Sequence, residues 1–243
     1  MGNQSEHGQS IYWKPQSIEL PAYLNSDKIL DTPRKEAGRP CSALEIAESA
    51  TSRVSGQFKA LAEMHSNRDP RITPAAHMEK VAQAAERTGR DARKVLGGAL
   101  ETLGKKKAQI LSELDSRLGI APNASPHAQE IRSVIRSMSE KDRSAFIMDA
   151  LNKGDNVTVS AILEAHPVTI GLEQKHIDGY KQRYYHLHAK DDLRHVKALD
   201  TAAERIAQQI DDTVEISAQL EALPPELAQQ AQRADEAAAK ANF

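Results

Sequence analysis

Two stretches of this chain place apolar or small residues at alternating steps of three and four, and this seam narrows the possible folds more than any other feature. The first seam is Met78, Val81, Ala85, Thr88, Ala92, Val95, Ala99 and Leu103; the second is Leu199, Ala203, Ile206, Ile210, Thr213, Ser217 and Leu220. Such steps fall on one stripe of an α-helix and let helices pack lengthwise. They predict an all-α, elongated bundle or hairpin with two long coiled-coil-like helices, and they leave little room for a buried catalytic cleft.

Aromatic residues are 4% of the chain and charged residues 27%, so its apolar content is mostly Ala, Leu, Ile and Val. That mixture suits thin helix-on-helix packing better than a globule built on aromatic anchors. No run approaches the ~18 apolar residues of a membrane span, and none is expected. The polar start, Met1 to His7, lacks the apolar stretch of a secretory leader. Cys41 is the only cysteine, which excludes an intrachain disulfide and a Cys-rich metal site. These features show no secretory signal, and a single free thiol suits a reducing compartment.

Net charge is −2 overall but unevenly spread. Residues 68–117 hold 11 Lys/Arg against 7 Asp/Glu, a net of +4, and residues 200–243 hold 3 against 9, a net of −6. Stretches of opposite sign attract one another within a chain or between subunits.

Pro15, Pro21, Pro33 and Pro40 interrupt residues 1–41, predicting an extended arm. The arm is nonetheless rich in apolar groups. Tyr12, Trp13, Ile18 and Leu20 are the candidate partner-binding residues, docking on a neighbouring subunit or back on their own chain. A helical domain over 42–225 follows. Ser42 to Glu45 reads as a capping box opening a helix that runs to about Ser66. Thr73-Pro74 opens a long helix over about 74–118, stopped by Gly119. Gly97, Gly98 and Gly104 mark a kink in it or a close crossing of another backbone. Short helices over about 127–166 form a knob, with Ser139 and Asp155 as starts and Gly154 as a stop. A second long helix spans about 172–223 and ends at Pro224-Pro225, leaving an Ala- and Gln-rich tail at 226–243.

The densest polar cluster lies on that last helix. His188, Asp191 and His195 fall near one face and are the candidate metal ligands. Their spacing matches neither His-Glu-x-x-His nor the Glu-x-x-His pairs of di-iron bundles, and a solvated face with Asp–His and Asp–Arg pairs is the simpler reading, so no metal is expected. No nucleotide-binding loop and no nucleophile elbow is present, so no cofactor and no catalytic residue is expected. Arg87, Arg90 and Lys94 share a helix face suited to phosphate contact, without the interleaved aromatics of a nucleic-acid reader.

One stretch carries a resemblance. Lys153-Gly154-Asp155-Asn156, Ala161-Ile162-Leu163-Glu164-Ala165-His166-Pro167, Gly171-Leu172, Tyr180 and Arg183-Tyr184 resemble a pattern in small helical virion-associated proteins of tailed bacteriophages. The likeness covers about residues 153–184 and describes a helix–turn–helix corner. It implies a virion or virion-assembly context and carries no functional residue. The expectation is therefore a non-enzymatic structural or assembly protein, internal, head-associated or neck-associated, pairing with itself and with other structural proteins. The alternative is a cytoplasmic coiled-coil adaptor or regulator whose basic stripe contacts nucleic acid.

Overall fold

The computed structural model describes residues 15, 17–120, 127–222 and, in the tail, 227, 229, 232, 233 and 236. The fold is all-α, and no strand occurs among the described residues. Among the described residues the helices with both ends described are, in order, α1 (Ala22–Asn25), α2 (Asp31–Glu36), α3 (Ser42–Ser66), α4 (Pro74–Arg117), α5 (Ala128–Ser137), α6 (Glu140–Lys153), α7 (Asn156–Leu163), α8 (Pro167–Ile170), α9 (Gln174–His188) and α10 (Lys190–Glu221). The domain expected over 42–225 divides into two compact units. The first takes residues up to Thr32, Cys41–Leu103 and residues from Thr201 onward; the second takes Pro33–Pro40 and Gly104–Asp200.

The first unit contains α1, α3, the first two-thirds of α4 and most of α10. The expected extended arm is corrected here, because its described part includes α1 and α2. Leu24, Ile29 and Leu30 are buried, so this segment docks on its own chain. Its prolines do not prevent helix formation. Pro21 is the N-cap of α1 and Pro33 is the third residue of α2, where a helix has no use for the missing amide proton. Tyr12 and Trp13 lie outside the described residues.

The capping box at Ser42 is also corrected. Cys41 occupies the N-cap position, its carbonyl accepts from the Leu44 and Glu45 amides, and no side chain caps the start. Thr73 does cap α4, with its hydroxyl accepting from the Ala76 amide at 3.2 Å. The 44 residues of α4 span about 66 Å. Gly119 then turns the chain with φ +68°, and the Ile120 amide bonds back to the Asp115 carbonyl at 2.8 Å.

Burial follows the α4 seam with two changes. Met78, Val81, Ala85, Ala92, Ala99 and Leu103 are buried, but Gly89 and Leu96 take the inner positions expected of Thr88 and Val95. A strict 3,4 repeat averages 3.5 residues per turn and drifts against a 3.6-residue helix, so five turns on from Met78 the stripe reaches Leu96. In the second seam Ala202 and Gln209 are buried in place of Ala203 and Ile210. Gln209 holds its place by donating from Nε2 to the Tyr23 carbonyl (2.9 Å), the Ser55 hydroxyl (3.1 Å) and the Thr51 carbonyl (3.3 Å).

The expected close crossing at Gly97, Gly98 and Gly104 is not found among the described residues, where a Cβ added at any of them meets nothing within 4 Å. The close approach is at Gly89, where an added Cβ would lie 2.5 Å from the Ser217 hydroxyl.

The second unit holds the large aliphatic core. Leu114, Ile120, Ile135, Ile147, Leu151, Val159, Ile162, Ile170, Ile177 and Tyr184 pack into one cluster. Its short helices start and stop where the sequence marks them. Ser139 caps α6 and Asp155 caps α7 through their side chains, and Gly154 and Gly171 close α6 and α8 in the left-handed region. Arg143 joins the ends of two helices. Its guanidinium donates to the Ile135 carbonyl (3.1 Å), the Met138 carbonyl (3.1 Å) and the Gly171 carbonyl, adding charged donors at two helix ends.

The long helix expected over 172–223 is corrected to two. Ala189 leaves helical geometry at φ −147°, ψ 41°, ending α9 before α10 begins. No Pro or Gly marks this break. It is held by tertiary contacts: His188 Nε2 donates to the Leu151 carbonyl at 2.8 Å, and Tyr184, Tyr185 and Ala189 are buried in the unit's core.

Candidate functional site

The α9–α10 junction gathers the polar groups that the sequence offers for chemistry, and each is used by the fold. His188 is tied to the Leu151 carbonyl, and its ring tilts against Tyr184 with centroids 4.6 Å apart. The Asp191 side chain is 89% exposed and pairs with Arg194 at 3.5 Å. His195 is buried, and its Nδ1 donates to the Ala37 carbonyl at 3.4 Å. The three candidate metal ligands thus have separate partners. Among the described residues, no group of three or more His, Cys, Asp or Glu side chains is arranged to hold a metal ion.

Asp192, adjacent to the proposed ligands, is the more constrained residue. Its carboxylate accepts from Arg39 at 3.1 Å through one oxygen and from Arg117 through the other. Burial acts to raise its pKa, but the two guanidinium groups outweigh burial, and the carboxyl lies below its ordinary range. His195 is pushed below the usual imidazole value, first by burial and then by Arg39 and Lys106, against the opposing effects of the Ala37 carbonyl and Asp192.

A second polar group forms where α4 ends. Asp115 accepts from the Tyr185 hydroxyl and from Lys181 at 3.0 Å, and the Lys181 ammonium sits 5.6 Å from the centre of the Tyr185 ring. Burial, then Asp115, drives the Tyr185 phenol far above its ordinary pKa. Next to it the Asn156 amide lies 2.8 Å from the Tyr184 hydroxyl. With its NH2 turned inward, Asn156 reaches the Gly154 and Leu118 carbonyls at 3.1 and 3.3 Å. Sequence spacing gives no sign of Asp115 as the partner of Tyr185, because it lies about 70 residues away in the chain.

The proposed contact residues are only partly described. Ile18 and Leu20 are half-buried and line a cleft of about 480 Å³ with Glu19, Asn25, Lys59, Ala62 and Glu63. The basic stripe lies on the outer face of α4: Arg87, Arg93 and Lys94 are exposed, and Arg90 pairs with Glu86 at 2.5 Å. Glu86, Asp91 and Glu101 are exposed on the same helix, which dilutes its positive field. Arg87 donates to the Gln83 carbonyl of its own helix. Cys41 is buried at the start of α3. Among the described residues, no helix is long and apolar enough to cross a membrane.

No protein-family model, curated protein or solved structure matches this chain.

Proposed function

We propose that this chain is a non-enzymatic structural or assembly protein that works through helix–helix association, as an oligomer and with other structural proteins. The observation that carries this reading is how its polar side chains are used. Asp192 joins Arg39 to Arg117, Asp115 joins Tyr185 to Lys181, and His188 and His195 are each bonded to a backbone carbonyl. Groups of the kind that perform acid–base chemistry or bind metal are here spent on fixing helices against one another. The context implied by the likeness of residues 153–184 is a tailed-bacteriophage particle, internal, head-associated or neck-associated, and the place of action is then the virion or the host cytoplasm. Ile18 and Leu20, with Tyr12 and Trp13 before them, are the proposed contact residues.

Light scattering during size-exclusion chromatography tests this. The full chain should run as a discrete oligomer, and removal of residues 1–20 should lower its mass. A monomer in both cases overturns the reading.

The exposed Arg87, Arg93 and Lys94 favour a second reading, an adaptor whose basic stripe contacts nucleic acid. It expects retention on DNA that falls steeply with salt and weakens on Arg87→Ala and Lys94→Ala together; equal retention by the variant rejects it.

A further inference from the structure

The corner between α3 and α4 contains two buried imidazoles. His65 lies in the last turn of α3 and His77 in the first turns of α4, and both are buried. His77 Nε2 donates to the His65 carbonyl at 3.3 Å, joining the two helices across the turn at residues 67–73. His65 Nδ1 is buried and has no hydrogen-bond partner. While the ring is neutral, that unpartnered nitrogen already costs the closed corner something. Once protonated it becomes a buried donor with a positive charge and nothing to receive it, which costs much more.

The surrounding charges give no relief. Among the described residues of α1, α3, α4 and α10, His77 is the one titratable group that acts on His65, and it opposes a charge there. Asp69, the acid of the turn, is committed to Arg71 at 2.9 Å, with Lys80 also acting on it. Glu63, two residues before His65, lines the Ile18–Leu20 cleft. The C-terminal end of α3 favours a cation, but burial outweighs it.

We propose that the α3–α4 corner is a proton-sensitive hinge, closed while His65 is neutral and opened by a proton on His65. The sign follows from linkage. Burial, then His77, holds the His65 imidazole below its ordinary value in the closed corner, and opening restores that value. Closure is therefore fully stable above the ordinary imidazole pKa of about 6.5 and weakens as pH falls below it. One unit lower, a single imidazole favours opening by up to about tenfold. The device does not depend on the assembly reading above.

Amide hydrogen exchange of the full chain at pH 7.5 and 5.5, corrected for intrinsic rates, is the test. Protection at residues 61–66 and 77–81 should fall by up to about tenfold at the lower pH. In His65→Leu, which removes the orphaned nitrogen and the titration but keeps the backbone carbonyl for His77, protection should be independent of pH. Equal protection of the wild-type corner at both pH values overturns the proposal, as does a fall that persists in His65→Leu. If that variant loses helicity, the NMR titration of His65 in the wild-type chain decides. A midpoint below 6.5 supports the hinge, and one at or above 6.5 overturns it.

Discussion

The core of the second unit and the α4–α10 contact within the first solve the same packing problem with different materials, although elsewhere the first unit also buries Phe58, Leu44 and Leu96. The second fills its interior with Ile135, Ile147, Leu151, Ile162 and Tyr184 on short helices whose ends are closed by Ser139, Gly154, Asp155 and Gly171. The first lines the inner faces of α4 and α10 with Ala85, Gly89, Ala92, Ala202, Thr213 and Ser217, and buries Gln209 among them. Large side chains give a core its energy through buried area, whereas small ones allow backbones to approach and leave more of the specificity to individual contacts. The core of the second unit should therefore be sensitive to loss of volume, and the α4–α10 contact of the first to gain of volume.

Loss of volume gives the largest expected effect. Leu151→Ala empties a fully buried site and should cost about 3–4 kcal/mol. Ala92→Gly, equally buried in the first unit, should cost about 1 kcal/mol, mostly through helix propensity. Urea unfolding of both variants measures the contrast; equal costs would mean that the two cores do not differ as described.

Arg143→Ala should follow at about 2–3 kcal/mol, because it removes the guanidinium that the Ile135, Met138 and Gly171 carbonyls share at the ends of α5 and α8. Arg143→Lys should recover less than half of that loss, since a single ammonium cannot span carbonyls that a planar fork reaches together. Full recovery by lysine would show that the charge matters and the fork does not.

Gain of volume is the first unit's counterpart. Gly89→Val places branched carbon where a single Cβ already lies 2.5 Å from the Ser217 hydroxyl and 3.3 Å from its Cβ, and should cost about 2 kcal/mol. Gly97→Ala on the same helix meets open space and should stabilise by about 0.5–1 kcal/mol. The opposite signs at two glycines of one helix sharpen the comparison, and a shared sign would break it.

These glycines also show what was legible in the sequence. Helix class, the cap at Thr73, the stop at Gly119 and the starts of α6 and α7 are readable because each is signalled within a few residues. Gly97-Gly98 stood out as a pair, yet the functional glycine of the helix is Gly89, identified only by Ser217 on α10. Ile210 was the better seam residue by hydropathy, but Gln209 is buried because Tyr23, Thr51 and Ser55 supply its partners. Ala189 breaks a helix that its local sequence would continue, because His188 is bonded to Leu151. For the candidate site, the spacing of His188, Asp191 and His195 identified a polar helix face. The contacts that define their roles, with Leu151, Arg194 and Ala37, come from elsewhere in the fold in two cases of three.

The smallest effect is electrostatic. Asp192 is held below its ordinary carboxylate range because Arg117 and Arg39 outweigh its burial. A carboxyl with a lowered folded pKa stabilises the fold above its unfolded value, near 3.8, and loses that contribution as pH falls through the folded value. Both arginine side chains are more than half exposed, so solvent screens the pairs and each is worth about 1 kcal/mol or less. Asp192→Asn should thus lower stability slightly at pH 7 and leave it nearly unchanged once pH has fallen through the folded value and the wild-type carboxyl is itself protonated. It should also flatten the acid limb of the stability profile between those limits. Salt should shrink the difference at pH 7. A difference that stays constant across the whole pH range would assign the role of Asp192 to its hydrogen-bond geometry rather than to its charge.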